Sequence, residues 1–183
     1  TLHSIKGQKS NNYEVIVIDG NSTDGTVKEI EKNKKFINKY IVEQDKGIYD
    51  AMNKGINLAS GDWIMFLNSG DVLFDDFVLE QLNLNDLKNH EIVFGDTVVD
   101  NQDIKYLVNS TMFNKKTVIM PFCHQSCFVK SNILKQNNFS LKYKYSSDFN
   151  FFFNKNFENI KFYQVDMIIS MVNSGGLSDR FRE

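Results

Sequence analysis

Proline occurs once in the 183 residues, and no stretch is jointly rich in proline, glycine and serine. Nothing marks an internal linker, so the chain reads as a single domain over 1–183, long enough for a substantial core. Apolar runs are short. None approaches the roughly 20 residues of a membrane-spanning helix, and no signal peptide is visible. Charge of one sign is also lacking: 21 basic against 23 acidic residues leave a net charge of −2. That removes the general electrostatic argument for a nucleic-acid partner. Cysteine and histidine are scarce. Cys123 and Cys127 fall in a predicted strand, where a spacing of four separates side chains by about 13 Å along one face, too far for a local disulfide. With only His3, His90 and His124 beside them, a four-ligand zinc site is not expected. Two buried thiols in a reducing compartment is the plain reading.

What the sequence does have is alternation. Tyr13 to Asp19 (YEVIVID) is a nearly continuous apolar run ending in Asp-Gly, the pattern of a strand covered on both faces. Ser22, Thr23 and Asp24 offer caps for a helix to about Lys35. Tyr40 to Gln44 predicts a second strand. A helix over about Gly47 to Ser60 follows, with Ile48, Met52, Ile56 and Ala59 on its core face. Trp63 to Leu67 (WIMFL) predicts a third strand, stopping at Asn68-Ser69-Gly70-Asp71, and another helix spans about Asp75 to Leu87. This β-α-β-α-β-α order predicts a mostly parallel sheet with right-handed crossovers. Further on, Glu91–Asp100 and Ile104–Val108 predict a hairpin. Thr117–Val129 reads as strand, and Ser147–Phe157 as a helix with Phe149, Phe152 and Phe153 in the core. A last strand over Ile160–Val172 leads into Asn173-Ser174-Gly175-Gly176-Leu177-Ser178. The order suggests a nucleotide-binding half over 1–100 and an acceptor half over 101–183. A doubly wound sheet usually begins with a central strand, whereas this sequence opens on what reads as a helix end (TLHSI). The reading therefore predicts a missing first strand, about 20 residues with half a helix.

Ligands on such sheets bind beyond the carboxyl ends of the strands. Asp19, Asp45 and Asp71 all fall there, each shortly after an apolar run. Three converging carboxylates repel unless donors or a cation compensate, and a divalent metal is the common solution. The plainer reading makes each a cap or turn residue. It is preferred for Asp24, whereas Gly70-Asp71 directly after a buried strand favours a functional role for Asp71. Asp148 alone reads as a favourable charge at a helix N-terminus, and His124 as a strand histidine satisfied by a polar neighbour. Tyr49 lies off the apolar face of its helix, within reach of the strand ends.

The segments VIDGNSTDGT (17–26), DKGIYDAMNKGINLASGDWIMFLNSGD (45–71), CHQSCFVKS (123–131), KYSSDFNFFF (144–153) and NSGGLS (173–178) resemble family 2 glycosyltransferases of the GT-A fold. The similarity is to bacterial enzymes that build exopolysaccharide, capsule and O-antigen. It covers nearly the whole chain, and the 45–71 block is its most specific part.

The resemblance implies an α/β, Rossmann-like GT-A fold and an inverting, metal-dependent transferase. The donor would be a nucleotide-sugar, with UDP the usual base, and the acceptor a glycan or lipid-linked saccharide. It places Asp19, Ser22, Asp45, Asn53 and Asn68 around the nucleotide-sugar. Asp71 would hold Mg²⁺ or Mn²⁺, an ion that prefers hard oxygen ligands. His124 and Gln125 would face the acceptor, and Asp148 would be the general base. A lipid-linked acceptor implies a cytoplasmic protein in peripheral contact with the inner face of the membrane. Asn68 and Gly70 stand where many members have aspartates, which implies weak metal binding without nucleotide. A non-catalytic sugar-nucleotide-binding scaffold on the same fold is the alternative.

Overall fold

The protein is described from a computed structural model over residues 1–112, 119–153 and 160–174. A short helix α1 (Leu2–Lys6) leads to strand β1 (Ile16–Asp19), helix α2 (Thr26–Lys32) and strand β2 (Lys39–Val42). β1 and β2 pair in parallel, Ile16 opposite Lys39 and Asp19 opposite Val42. This is the predicted crossover unit, and Val15, Ile30 and Ile37 are buried beneath it. α2 stops short of Lys35 because Asn33 folds back: its Nδ2 donates to the Glu29 carbonyl at 2.9 Å, competing with the helical ladder.

Helix α3 (Ile48–Leu58) buries Tyr49, Met52 and Ile56, with Ile48 partly covered and Ala59 buried just past its end. The predicted apolar stripe is therefore the core face, widened by Tyr49. Strand β3 is only Trp63–Ile64, strand β4 is Val72–Leu73, and helix α4 is one turn, Val78–Gln81. The helix expected to run to Leu87 gives way to turns, in which the Asn83 side chain donates to Asp86 at 2.7 Å. Leu79 from α4 and Leu82, Leu84 and Leu87 from the segment after it still pack on the core.

The sheet is mixed, not mostly parallel as the alternation predicted. Strands β5 (Ile92–Asp100) and β6 (Lys105–Val108) form the expected hairpin. Strand β7 (Cys127–Lys130) joins β5 and β3 antiparallel, while strand β8 (Phe162–Asn173) joins β5 in parallel and β4 antiparallel. The order is β3-β7-β5-β8-β4, with β6 added on β5. Sequence periodicity reports that a strand is buried, not which neighbour it finds. α2 is the helical crossover that makes β1 and β2 parallel neighbours. Among the described residues, β1 and β2 pair with no strand of the larger sheet.

Two short helices complete the fold, α5 (Ser131–Gln136) and α6 (Ser147–Phe152). Phe151 and Phe152 are the buried pair of α6. Phe149, expected in the core, is half-buried and stacks on Phe153 with centroids 4.4 Å apart. Positions 154–157 of the predicted helix lie outside the described residues. Cys123 precedes β7 instead of lying on it, and no disulfide joins it to Cys127.

Candidate active site

The end of β1 and the turn after β2 form one corner of the site. Asp19, 6% exposed, accepts the Ser22 amide on Oδ1 at 2.8 Å, an Asx turn that holds the loop in place. Asp45 lies against it. A Cβ added to Gly20 would stand 2.6 Å from Asp45 Oδ2, so a side chain there would require the Asp45 carboxylate to shift. Asp45 Oδ1 in turn accepts the Gly47 amide at 2.9 Å, ahead of α3. Asp24 is a turn residue, one of the two plain roles expected for it, accepting both the amide and the hydroxyl of Thr26 just before Gly25, the N-cap of α2.

A cavity of about 400 Å³ runs between β1, α3 and the Trp63–Leu67 segment. Its long walls are apolar, including Ile16, Ile18, Met52, Ile64 and Phe66, while Asp45, Asn68 and Ser69 line it as well. Glu14 adds a further carboxylate to the lining.

Asp71 is 5% exposed, yet carries a carboxylate. Its Oδ2 accepts Gln125 Nε2 at 3.1 Å, and its Oδ1 accepts the Asn173 amide at 3.3 Å. The turn before it is tied down at both ends. Thr1 Oγ1 donates to the Asn68 carbonyl and accepts the Gly70 amide, each at 3.0 Å. Gly70 has φ +96°, a left-handed conformation that favours glycine.

The predicted strand around His124 is instead a single 3-10 turn, His124–Ser126, leading into β7. This turn organises the site. Gln125 reaches Asp71, while its neighbour His124 places Nδ1 3.1 Å from Asp148 Oδ2. Ser126 anchors the turn below. Its hydroxyl donates to the Asp96 carbonyl at 3.0 Å and lies 2.7 Å from both the Thr97 and the Ser170 hydroxyls. All three hydroxyl residues are essentially sealed from solvent.

Asp148 lies in the first turn of α6. Ser146 turns the chain with φ 67°, and Ser147 fixes the turn by donating to the Ser140 carbonyl at 2.9 Å. The Tyr49 hydroxyl donates to Asp148 Oδ1 at 2.8 Å. Burial alone would raise the Asp148 pKa. The hydrogen bond and charge of His124, the Tyr49 hydroxyl and the Phe149 amide outweigh it and lower the value to about 2. Tyr49 is pushed the other way, well above its usual range, by burial and by the neighbouring carboxylate. Tyr49, His124 and Asp148 thus form one continuous chain of polar contacts between α3, the 3-10 turn and α6.

Most of the predicted residues therefore meet. Asp19, Ser22 and Asp45 share one corner, and Asp71, Gln125, His124 and Asp148 share one turn. Asn53 does not join them. Its amide clamps Phe139 reciprocally, donating to the carbonyl and accepting the amide, each at 2.9 Å, and it is not among the cavity's lining residues. These two bonds meet the backbone needs of Phe139 in the loop that leads toward α6. The Gly175-Gly176 loop lies outside the described residues. Sequence reasoning missed Asn173 and Ser126. Ser126 was legible only as the residue following His124-Gln125.

For a divalent cation the chain offers little alone. Among the described residues, no group of three His, Cys, Asp or Glu side chains could hold one. A single hard carboxylate at Asp71 does fit a cation carried chiefly by phosphate oxygens, the usual arrangement for Mg²⁺.

Comparison with known proteins identifies the family and the fold. The chain is 25% identical over 160 residues to a "PGL/p-HBAD biosynthesis glycosyltransferase" of Mycobacterium bovis, covering 82% of this chain and 60% of that one. It is 34% identical over 85 residues to the "Putative teichuronic acid biosynthesis glycosyltransferase TuaG" of Bacillus subtilis, covering 45% and 34%. Among solved structures, S. aureus TarS 1–349 in complex with UDP superposes with a TM-score of 0.73 at 18% identity, over 94% of this chain and 55% of that one. That likeness shows the GT-A fold. The chain spans about half to three fifths of TarS 1–349 and of the mycobacterial relative. The profile described as "Glycosyl transferase family 2" matches residues 1–163, and the chain belongs to that family.

Proposed function

We propose that this chain carries the catalytic machinery of an inverting glycosyltransferase. It would move a sugar from a nucleoside diphosphate sugar to a hydroxyl of a glycan or lipid-linked acceptor, in the synthesis of a bacterial surface polysaccharide. One observation carries the reading. Consecutive residues of a single 3-10 turn hold two carboxylates, Gln125 on the buried Asp71 and His124 on the partly buried Asp148. The first suits the diphosphate and the second suits the acceptor, so one rigid element aligns leaving group and nucleophile.

The residues divide the work. Asp19, Ser22 and Asp45 border the nucleotide, and Asn68 borders the donor beside the cavity. Asp71 would hold Mg²⁺ or Mn²⁺, which supplies charge to the departing diphosphate. Gln125 and the Asn173 amide orient the Asp71 carboxylate. The acceptor's proton passes to the Tyr49–Asp148–His124 cluster, whose carboxylate is the base implied by the family. Inversion requires one displacement with no covalent intermediate, and neither buried carboxylate is asked to act as nucleophile. A lipid-linked acceptor would bring the protein to the inner membrane face. No helix among the described residues is long and apolar enough to cross a membrane.

The test is a thermal-shift screen with UDP-, GDP- and dTDP-sugars, each with and without Mn²⁺. A ligand at a hundredfold excess over its Kd stabilises by about 2.7 kcal/mol. A metal-dependent shift with one base, lost in Asp71→Ala, supports the donor assignment. No shift with any donor overturns it. A shift retained with no loss of function in Asp148→Asn points to the non-catalytic scaffold.

A further inference from the structure

The cavity of about 400 Å³ between β1 and the Trp63–Leu67 segment has a counterpart. The first is closed by α3, through residues such as Met52 and Gly55. A second, of about 880 Å³, is closed by Ile5 of α1 and Leu79 of α4. Glu14, Ile16, Trp63, Met65 and Leu67 border both. The shared borders make the two cavities the two faces of one slot, with β1 along one edge and the 63–67 segment along the other. Both edges run the same way. Glu14 Oε1 accepts the Ser60 and Gly61 amides at 2.6 and 2.7 Å, so the two segments start side by side. They also finish together, since Ile18 and Asn68 line the same cavity.

Neither edge has a ladder on the slot side. β1 pairs with β2, none of whose residues borders either cavity, so β2 occupies the opposite edge. Met65 to Leu67 pair with no strand among the described residues. Yet both edges are apolar and covered by helices, a setting in which backbone N–H and C=O groups are almost always paired. A small ligand would meet few of those groups along the slot. One extended polypeptide meets them on both sides.

We infer that the slot seats a further β-strand of the same polypeptide, about five residues long, laid parallel between β1 and the 63–67 segment. Covered by α3 on one face and by Ile5 and Leu79 on the other, it is a continuous apolar run and not an alternation. Thr1 gives the route. Its hydroxyl bonds to the Asn68 carbonyl and the Gly70 amide, so it stands at the end of the slot where a strand parallel to β1 finishes. A short loop then joins that strand to α1. Seated there, the strand links the β1–β2 pair to the larger sheet, and its end lies between Asp19 and Asn68. The inference stands on these contacts and not on the transferase reading.

Two measurements test it. The first uses chain 1–183 as it stands. Amide deuterium exchange should be fast at Met65 to Leu67 and slow at the fully buried Ile92 to Phe94. Slow exchange at Met65 to Leu67 overturns the inference, since those amides then already have partners. The second joins a Val-Ile-Val-Ile-Val extension to Thr1 through a Gly/Ser/Asn loop of about six residues. The melting midpoint should rise by about 4 °C or more, and exchange should slow at Ile16 to Ile18 and at Met65 to Leu67 together. The same extension with proline at its second and fourth places loses two ladder donors and should do neither. Protection along one edge only, or equal effects of the two extensions, overturns the inference. So does protection that appears only as dimers form in sedimentation, which assigns the slot to a second copy. Should the apolar extension prevent folding, Val-Thr-Val-Thr-Val carries the same test, with the same paired protection expected and the same results overturning it.

Discussion

The Tyr49 hydroxyl and the Asp148 carboxylate meet at 2.8 Å although 99 residues separate them in sequence. The bond ties α3 to α6 and makes the candidate base part of the core's architecture. Its lowered pKa is a statement about stability. A carboxyl whose folded value lies near 2, below its unfolded one, stabilises the fold above about pH 4. That contribution disappears as pH falls through the folded value. Asp148→Asn should therefore cost ~2 kcal/mol at neutral pH and much less near pH 2. Tyr49→Phe should cost about 1–2 kcal/mol at neutral pH and add little to Asp148→Asn. Urea denaturation of the four proteins of that cycle, at both pH values, checks the sign and the coupling.

Asp71 separates ligand binding from folding. Asp71→Asn keeps an oxygen for the Asn173 amide and should retain most of the stability. Asp71→Ala leaves buried donors unmet and should cost about 1–3 kcal/mol. Both should abolish Mn²⁺-dependent stabilisation by the nucleotide-sugar, and EDTA should do the same to the unaltered chain. Melting curves with and without Mn²⁺ read both effects. A Mn²⁺ response surviving in Asp71→Ala would remove Asp71 from the metal's coordination.

Ser126 has a hydroxyl donating to one carbonyl and lying at 2.7 Å from two further hydroxyls, which fills its bonding capacity. Ser126→Ala should destabilise by about 1–3 kcal/mol, since Thr97, Ser170 and the Asp96 carbonyl lose a shared partner in a dry site. Because the turn carries both His124 and Gln125, kcat should fall more than KM rises. Chemical denaturation and steady-state kinetics on the same variant separate the two effects.

Gly70 has a φ of +96°, and a Cβ there would also stand 2.9 Å from Asn173 Nδ2. Gly70→Asp, which adds a carboxylate beside Asp71, should cost about 1–2 kcal/mol through backbone conformation. It should also displace the Asn173 amide that holds Gly70 O at 3.1 Å. Thermal denaturation with and without Mn²⁺ shows whether the added charge offsets that strain once a cation is bound.

Much of this was legible in the sequence. The apolar stripe of α3, the β5–β6 hairpin and the strand-end aspartates follow from periodicity and turn chemistry. The convergence of Asp71 and Asp148 on one turn was not. Residues 124–126 lie between strand-forming neighbours, and only tertiary hydrogen bonds to Asp96, Thr97 and Ser170 hold them as a 3-10 turn. The clamp of Asn53 on Phe139 was hidden for a related reason, since the loop it holds lies 86 residues away in sequence. The mixed sheet was hidden because a buried strand has the same composition whichever way its neighbour runs. Glu14 also escaped notice. Despite burial, which opposes its charge, the Ser60 and Gly61 amides, the Ser60 hydroxyl and Lys39 lower its pKa to about 2. It thereby fastens β1 to the turn before β3.

That fastening matters because the β1–β2 pair shares no backbone ladder with the larger sheet among the described residues. The pair is held by side-chain packing on α3, by Glu14, and by Lys39 donating to the Leu58 carbonyl at 2.7 Å. Glu14→Gln should therefore loosen the corner carrying Asp19, Ser22 and Asp45 from the turn before β3, while the turn carrying His124 and Gln125, fixed from below by Ser126, is left in place.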